Sequence, residues 1–196
     1  MWIHEGFTTY SESVFVECTQ GYEKAMKYIN GQRMSVVNDK PIIGIFGVNK
    51  EGSGDMYFKG ALMLNTLRSV INDDTKWWAL ILKYSETYKK QIIDTETVVN
   101  FFNKESGIDL TSVFNQYLRY KKIPLLQYRL NKGSLEYRWQ TEEEDFIMPV
   151  EFTIDDKIVR VNASNDWKSV KTNATSIDDI KPSTTRFYIK TEVLQY

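Results

Sequence analysis

Residues 124–139 read PLLQYRLNKGSLEYRW, and they divide the chain into two parts of different character. Apolar and polar residues alternate on both sides of the Asn131-Lys132-Gly133 turn, which is typical of a β-hairpin. Upstream of Pro124, apolar residues instead recur at helical spacing. The sequence therefore predicts an α+β chain in which a helical part, residues 1–122, is followed by a small β-sandwich, residues 123–196.

Both parts contain further predicted elements. Turn residues separate apolar runs in the second part, so strands are expected at residues 146–152, 158–161 and 186–191. Helical spacing in the first part predicts helices at residues 5–18, 22–31, 55–71 and 75–90, then from Asp94 or Thr95 to Gly107, and finally through Leu118. Residues 38–54 are rich in Gly, Asn and Asp and predict a long loop of the kind that often carries function.

Composition excludes several classes of protein. The 196 residues are 42% hydrophobic and 26% charged with a net charge of −1, so the bulk charge gives no reason to expect nucleic-acid binding. No apolar run approaches the roughly 20 residues of a membrane span. Cys18 is the only cysteine, which excludes an internal disulfide and a thiolate zinc cage, and its apolar neighbours predict a buried thiol.

Residues 2–12, WIHEGFTTYSE, carry the most informative polar pattern. Glu5 and Glu12 are two helical turns apart and therefore share one helix face. By themselves they are compatible with two surface carboxylates. A pair of carboxylates can also serve as the acid and the nucleophile of a glycosidase, and that alternative remains open on this evidence.

The same segment resembles the third-ligand motif of the aminopeptidase N-type zinc metallopeptidases, or gluzincins, usually written W-L-N-E-G-F-A-x-Y-x-E. The resemblance implies that Glu5 is the third zinc ligand and that Glu12 supports the metal site without binding the metal itself. His4 and Thr8 depart from the usual Asn and Ala, but neither departure removes a ligand.

A second segment, DMYFKGAL at residues 55–62, is similar to the Y-x-K-G segment of the same family. The resemblance implies that Tyr57 donates a hydrogen bond to the oxyanion of the tetrahedral intermediate. A phenol suits this role because it is a neutral donor at working pH. Without the resemblance, a packed aromatic in the first turn of a helix is the favoured interpretation of Tyr57.

Other parts of the family pattern are absent from the chain. There is no H-E-x-x-H segment, which supplies two histidine ligands and the general base, and no G-x-M-E-N segment, which binds the amine of the substrate. His4 is the only histidine, and it lies about 100° around the helix from Glu5. We therefore expect zinc and a peptide substrate to bind only to a full-length protein, and this chain alone to be inactive.

The chain most resembles the C-terminal part of the catalytic domain and the following sandwich of bacterial family members. Because it opens on Trp2 and Ile3 rather than on polar residues, a missing N-terminal part of the catalytic domain is expected to pack there. Exposure of Trp2, Ile3 and Phe7 would then favour a dimer of the truncated form. The alternative is a non-catalytic interaction protein built from a helical module and a sandwich, although Trp139, Tyr137 and Trp167 are expected to be core aromatics rather than a binding face.

Overall fold

The computed structural model describes residues 1–44 and 52–195. Its helices are α1 (Trp2–Gln20), α2 (Tyr22–Gly31), α3 (Phe58–Ile71), α4 (Asp74–Tyr88), α5 (Thr95–Ser106) and α6 (Thr111–Arg119). The strands are β1 (Leu125–Asn131), β2 (Ser134–Gln140), β3 (Ile147–Ile154), β4 (Lys157–Ser164), β5 (Lys168–Lys171), β6 (Ile180–Pro182) and β7 (Lys190–Val193). The predicted α+β class is confirmed. None of the helices within the described ranges has the length and apolar character needed to cross a membrane.

Local sequence explains where the helices begin and end. The Asp73 carboxylate accepts a hydrogen bond from the backbone N–H of Lys76 at the start of α4, and Asp94 does the same for Thr97 at the start of α5. Gly107 ends α5 at a positive φ of 70°, a conformation that glycine adopts without steric cost. Part of the predicted loop, residues 45–51, lies outside the described residues. The helix predicted from Asp55 begins at Phe58, because a short 3-10 turn over Gly54–Met56 precedes it.

The strands form two sheets, in the order β5-β2-β1-β7 and β4-β3-β6. The predicted hairpin is present, with Leu130 opposite Leu135 and Leu126 opposite Trp139. Phe152 of the second sheet packs its ring against Tyr128 and Tyr137 of the first, 5.7 and 6.1 Å away between centroids. These facing aromatic residues make the two sheets a sandwich with a shared core.

One strand prediction is wrong in its position. Residues 186–191 were expected to be extended, but β7 begins only at Lys190. Phe187, Tyr188 and Ile189 are instead buried, and the backbone N–H of Tyr188 donates to Thr66 of α3. Because these apolar residues pack on the helical part rather than within a sheet, their strand-like composition is misleading.

Helix α3 lies at the centre of the molecule, with every residue from Lys59 to Ile71 buried. The sandwich is attached to its C-terminal end by charged groups. Glu151 of β3 is buried and binds both Arg160 and Arg186, while Arg160 also donates to the carbonyl oxygens of Ser69 and Val70. The division into domains at residues 122 and 123 falls between α6 and β1, and it stays a prediction.

Candidate functional site

Helix α1 positions Glu5 in its first turn. Trp2 fixes the start of the helix: its side chain is buried, its Nε1 donates to Thr95 Oγ1 at 3.0 Å, and its ring lies 6.4 Å from Phe114. Glu5 itself is half-buried, whereas the neighbouring His4 is exposed. A carboxylate in the first turn of a helix is favoured by the positive end of the helix dipole. The helix therefore presents Glu5 at a defined place on its surface.

Two glycines allow α1 and α3 to cross in close contact. A Cβ added at Gly60 would lie 3.0 Å from the Cα of Gly6, and one added at Gly6 would lie 3.3 Å from both the Gly60 Cα and the Met56 carbonyl oxygen. A Cβ at either position would lie closer to its neighbour than most real Cβ contacts, so the helix backbones would have to separate by a few tenths of an ångström. The first turn of α1 consequently lies against the chain segment from Met56 to Gly60.

Tyr57 belongs to that segment. It lies between the 3-10 turn at Gly54–Met56 and the first residue of α3, and its side chain is 39% exposed. Glu5 precedes Gly6 directly, and Tyr57 follows Met56 directly. The helix crossing therefore brings together the two segments that carry Glu5 and Tyr57, which are distant in the sequence.

Glu12 occupies a different environment, two turns further along α1. Its side chain is exposed, and its carboxylate accepts a hydrogen bond of 2.7 Å from the Tyr28 hydroxyl of α2. This bond raises the pKa of the Tyr28 phenol, because the neutral phenol is the form that can donate. The structure therefore places the Glu12 carboxylate against α2, at the outer side of the α1–α2 pair.

Two buried charged residues beside Tyr57 were missed by sequence reasoning. Asp55 accepts hydrogen bonds from the backbone N–H groups of Val37 and Asn38, at 2.9 and 2.6 Å. Lys59 is fully buried and donates to the carbonyl oxygens of Tyr120 and Lys121, at 3.1 and 2.8 Å. Aspartate and lysine are seldom buried to this extent, so the residue types alone do not predict their burial.

Burial also changes the acid–base properties of Lys59. Desolvation is the largest effect and lowers the pKa of the ammonium group to about 8, while the negative charges of Asp55 and Glu142 act in the opposite direction.

Among residues 1–44 and 52–195, no group of three His, Cys, Asp or Glu side chains is close enough together to hold a metal ion. A catalytic zinc site needs three protein ligands. The described residues therefore do not form such a site by themselves, and Glu5 fits only as one member of a larger set.

Some expectations about exposed residues are corrected. Trp2 is buried, and Ile3 and Phe7 are half-buried, so these residues do not form the exposed apolar patch that was expected to drive dimerisation. Cys18 is exposed rather than buried, as are the next two residues of α1.

The three aromatic residues named for the second part differ in their burial. Tyr137 and Trp139 are core residues as predicted. Trp167 is only half-buried, and the guanidinium groups of Arg129 and Arg138 lie 4.5 and 4.8 Å from its ring centre.

Solved structures of an aminopeptidase and of a zinc metallopeptidase resemble this fold. Legionella pneumophila aminopeptidase A, solved in complex with aspartic acid, matches 98% of this chain and 24% of its own chain, with 16% identity and a TM-score of 0.66. A mutant M1 zinc metallopeptidase from Deinococcus radiodurans, bound to a Tyr-Ser-Ala substrate, matches 63% of this chain and 28% of its own, with 22% identity and a TM-score of 0.51. At these identities the likeness shows the fold alone.

The chain spans about a quarter of the length of these two proteins. Neither a protein-family model nor a curated protein matches the sequence.

Proposed function

We propose that this chain is part of a zinc-dependent aminopeptidase, in which it supplies one metal ligand and one donor to the transition state. Glu5 is the proposed ligand, Glu12, two turns further along α1, is proposed to support the metal site without binding the metal, and Tyr57 is the proposed oxyanion donor. The substrate is a peptide, from which the N-terminal residue is removed by attack of an activated water.

The observation that carries this proposal is the α1–α3 crossing at Gly6 and Gly60. It joins two segments that separately resemble motifs of one peptidase family, and it does so at the ends that hold Glu5 and Tyr57. The fold resemblance to an aminopeptidase and a zinc metallopeptidase supports the same proposal independently of these motifs.

Tyr57 has the chemistry and the exposure that the role requires. Its hydroxyl is a neutral hydrogen-bond donor, and a partly exposed side chain can reach a bound substrate. A donor that is already oriented stabilises the negative charge that develops on the carbonyl oxygen without reorganising during the reaction. Hydrogen bonding by Tyr57 is therefore expected to act on turnover more than on substrate binding.

Two further zinc ligands and a general base would have to come from residues other than those described. The proposal therefore concerns a full-length protein that contains this chain. The 196-residue chain alone is expected to be inactive.

The Tyr57→Phe substitution tests the proposal in that full-length protein. Removing an oxyanion donor costs about 10²- to 10³-fold in kcat in well-studied cases, so a loss of this order is expected, with KM nearly unchanged and bound zinc retained. Turnover of an aminoacyl anilide and metal analysis provide the two measurements.

Tyr22→Phe is the matched control, because Tyr22 has a similar exposure of 43% and lies on α2. This variant should keep normal turnover. Wild-type protein that binds zinc but hydrolyses no aminoacyl substrate would contradict the proposal and favour the non-catalytic interaction protein instead.

A further inference from the structure

We propose that Asp55 and Lys59 are positioning residues that hold the Tyr57 hydroxyl in place from both sides. This inference rests on the proposed function, because it concerns the residue assigned there as the oxyanion donor. Neither side chain is expected to touch the substrate, since both are buried whereas Tyr57 is exposed.

Asp55 anchors the segment that precedes Tyr57. Both of its carboxylate oxygens are occupied, one by the N–H of Val37 and the other by the N–H of Asn38. Its own backbone N–H donates to the hydroxyl of Ser53, which in turn donates to Asp39. The 3-10 turn is thereby tied to the chain that follows α2, over residues 37–39.

Lys59 anchors the segment that follows Tyr57, and it does so on a different element. Its ammonium group donates to the carbonyl oxygens of Tyr120 and Lys121, directly after α6 ends at Arg119. The last carbonyls of a helix and its following turn carry partial negative charge and lack helical partners, which makes a cation there favourable.

These two anchors leave the backbone at Tyr57 little freedom to move. Asp55 and Lys59 are one helical turn apart, with Tyr57 midway between them. Asp55 binds the backbone at residues 37–38, whereas Lys59 binds the backbone at residues 120–121. Burying an aspartate and a lysine costs desolvation free energy. If the contact were only structural, apolar side chains could make it with a smaller cost in free energy. Precise orientation of a donor is a role that would offset this cost, because an error of about 1 Å in an active site can reduce the rate by 10²-fold.

The first experiment observes Tyr57 directly in the 196-residue chain. The protein is labelled with fluorotyrosine, and the Tyr57→Phe spectrum identifies its signal among those of the 12 tyrosines. Asp55→Asn and Lys59→Met should each shift or split this signal. Asp94→Asn and Lys76→Met are the matched controls. Asp94 likewise accepts a backbone N–H, at the start of α5, and Lys76 of α4 likewise donates to a backbone carbonyl, that of Ser106.

The second experiment measures turnover in the longest gene product that contains this chain. Asp55→Asn and Lys59→Met should lower kcat at least tenfold with KM within about twofold, since a misplaced donor loses transition-state stabilisation alone. Lys59→Arg keeps a cationic donor and should recover part of the loss. If Lys59→Met does not fold, Asp55→Asn and Lys59→Arg still decide the question.

The outcomes separate this inference from the proposed function. An unchanged Tyr57 signal in Asp55→Asn and in the folded Lys59 variants would overturn the positioning role, as would a kcat that falls in Tyr57→Phe but not in the positioning variants. A shifted signal in a protein whose turnover does not depend on Tyr57 would support positioning while rejecting the proposed function.

Discussion

Lys59 carries a charge that its burial disfavours, and this has a consequence for stability at the scale of a single residue. The pKa of the folded lysine is lowered to about 8, whereas an exposed lysine in the unfolded chain titrates near 10.5. Between these values the unfolded chain binds more protons than the folded chain, so the free energy of unfolding rises with pH across this window. Below pH 8 both states are protonated, and the cost of burial is fully present.

Lys59→Met should remove this pH dependence. The difference in free energy of unfolding between wild type and Lys59→Met is expected to move in favour of wild type by up to about 1.4 kcal/mol per pH unit above pH 8. Urea denaturation from pH 7 to 9.5 measures it below the pH at which exposed tyrosines ionise. Parallel profiles for the two proteins would show that Lys59 does not titrate in this range.

Single residues were also the features that the sequence predicted least completely. Glu5, Glu12 and Tyr57 were selected because their neighbours resemble family motifs, and their roles stay predictions. Lys59 lies within the Y-x-K-G segment, but neither its burial nor that of Asp55 could be predicted, because both depend on backbone atoms at residues 37–38 and 120–121 that only the fold brings near.

At the scale of elements, the crossing of α1 and α3 depends on two residues without side chains. Gly60→Ala would place a methyl group 3.0 Å from the Cα of Gly6, and a backbone atom moves aside less readily than the end of a flexible side chain. We expect a loss of about 1–3 kcal/mol in the free energy of unfolding, and a smaller loss for Gly6→Ala, whose contacts are 3.3 Å.

Gly31→Ala is the control for this prediction. It lies at the end of α2 with no atom within 4 Å of an added Cβ, and alanine is the better helix former, so stability should be unchanged or slightly increased. Chemical denaturation compares the three variants. Equal stabilities for Gly60→Ala and Gly31→Ala would contradict the close crossing.

Elements were predicted well where local chemistry decides them. The hairpin around Asn131-Lys132-Gly133 and the helix starts predicted at residue 75 and at Asp94 or Thr95 have short-range causes that a sequence displays directly. The strand expected at residues 186–191 failed because an apolar run is compatible with a strand or with any other buried segment, and its contacts with α3 decide between them.

At the scale of the whole molecule, α3 connects the candidate site to the sandwich. Its N-terminal end meets Gly6, and its C-terminal carbonyls are bound by Arg160, which is paired with the buried Glu151. The α+β order of the chain was visible in the sequence, but this connection was not, because it depends on contacts between residues about 90 positions apart.

The zinc content of the longest gene product containing this chain tests the central claim most directly. Metal analysis of the purified protein, with and without Glu5→Gln, should find about one zinc per wild-type chain and a large loss in the variant, since a catalytic site has three protein ligands. Glu17→Gln, which alters the Arg68 partner further along α1, should keep its zinc. Wild-type protein without zinc, or equal zinc in wild type and Glu5→Gln, would contradict the account.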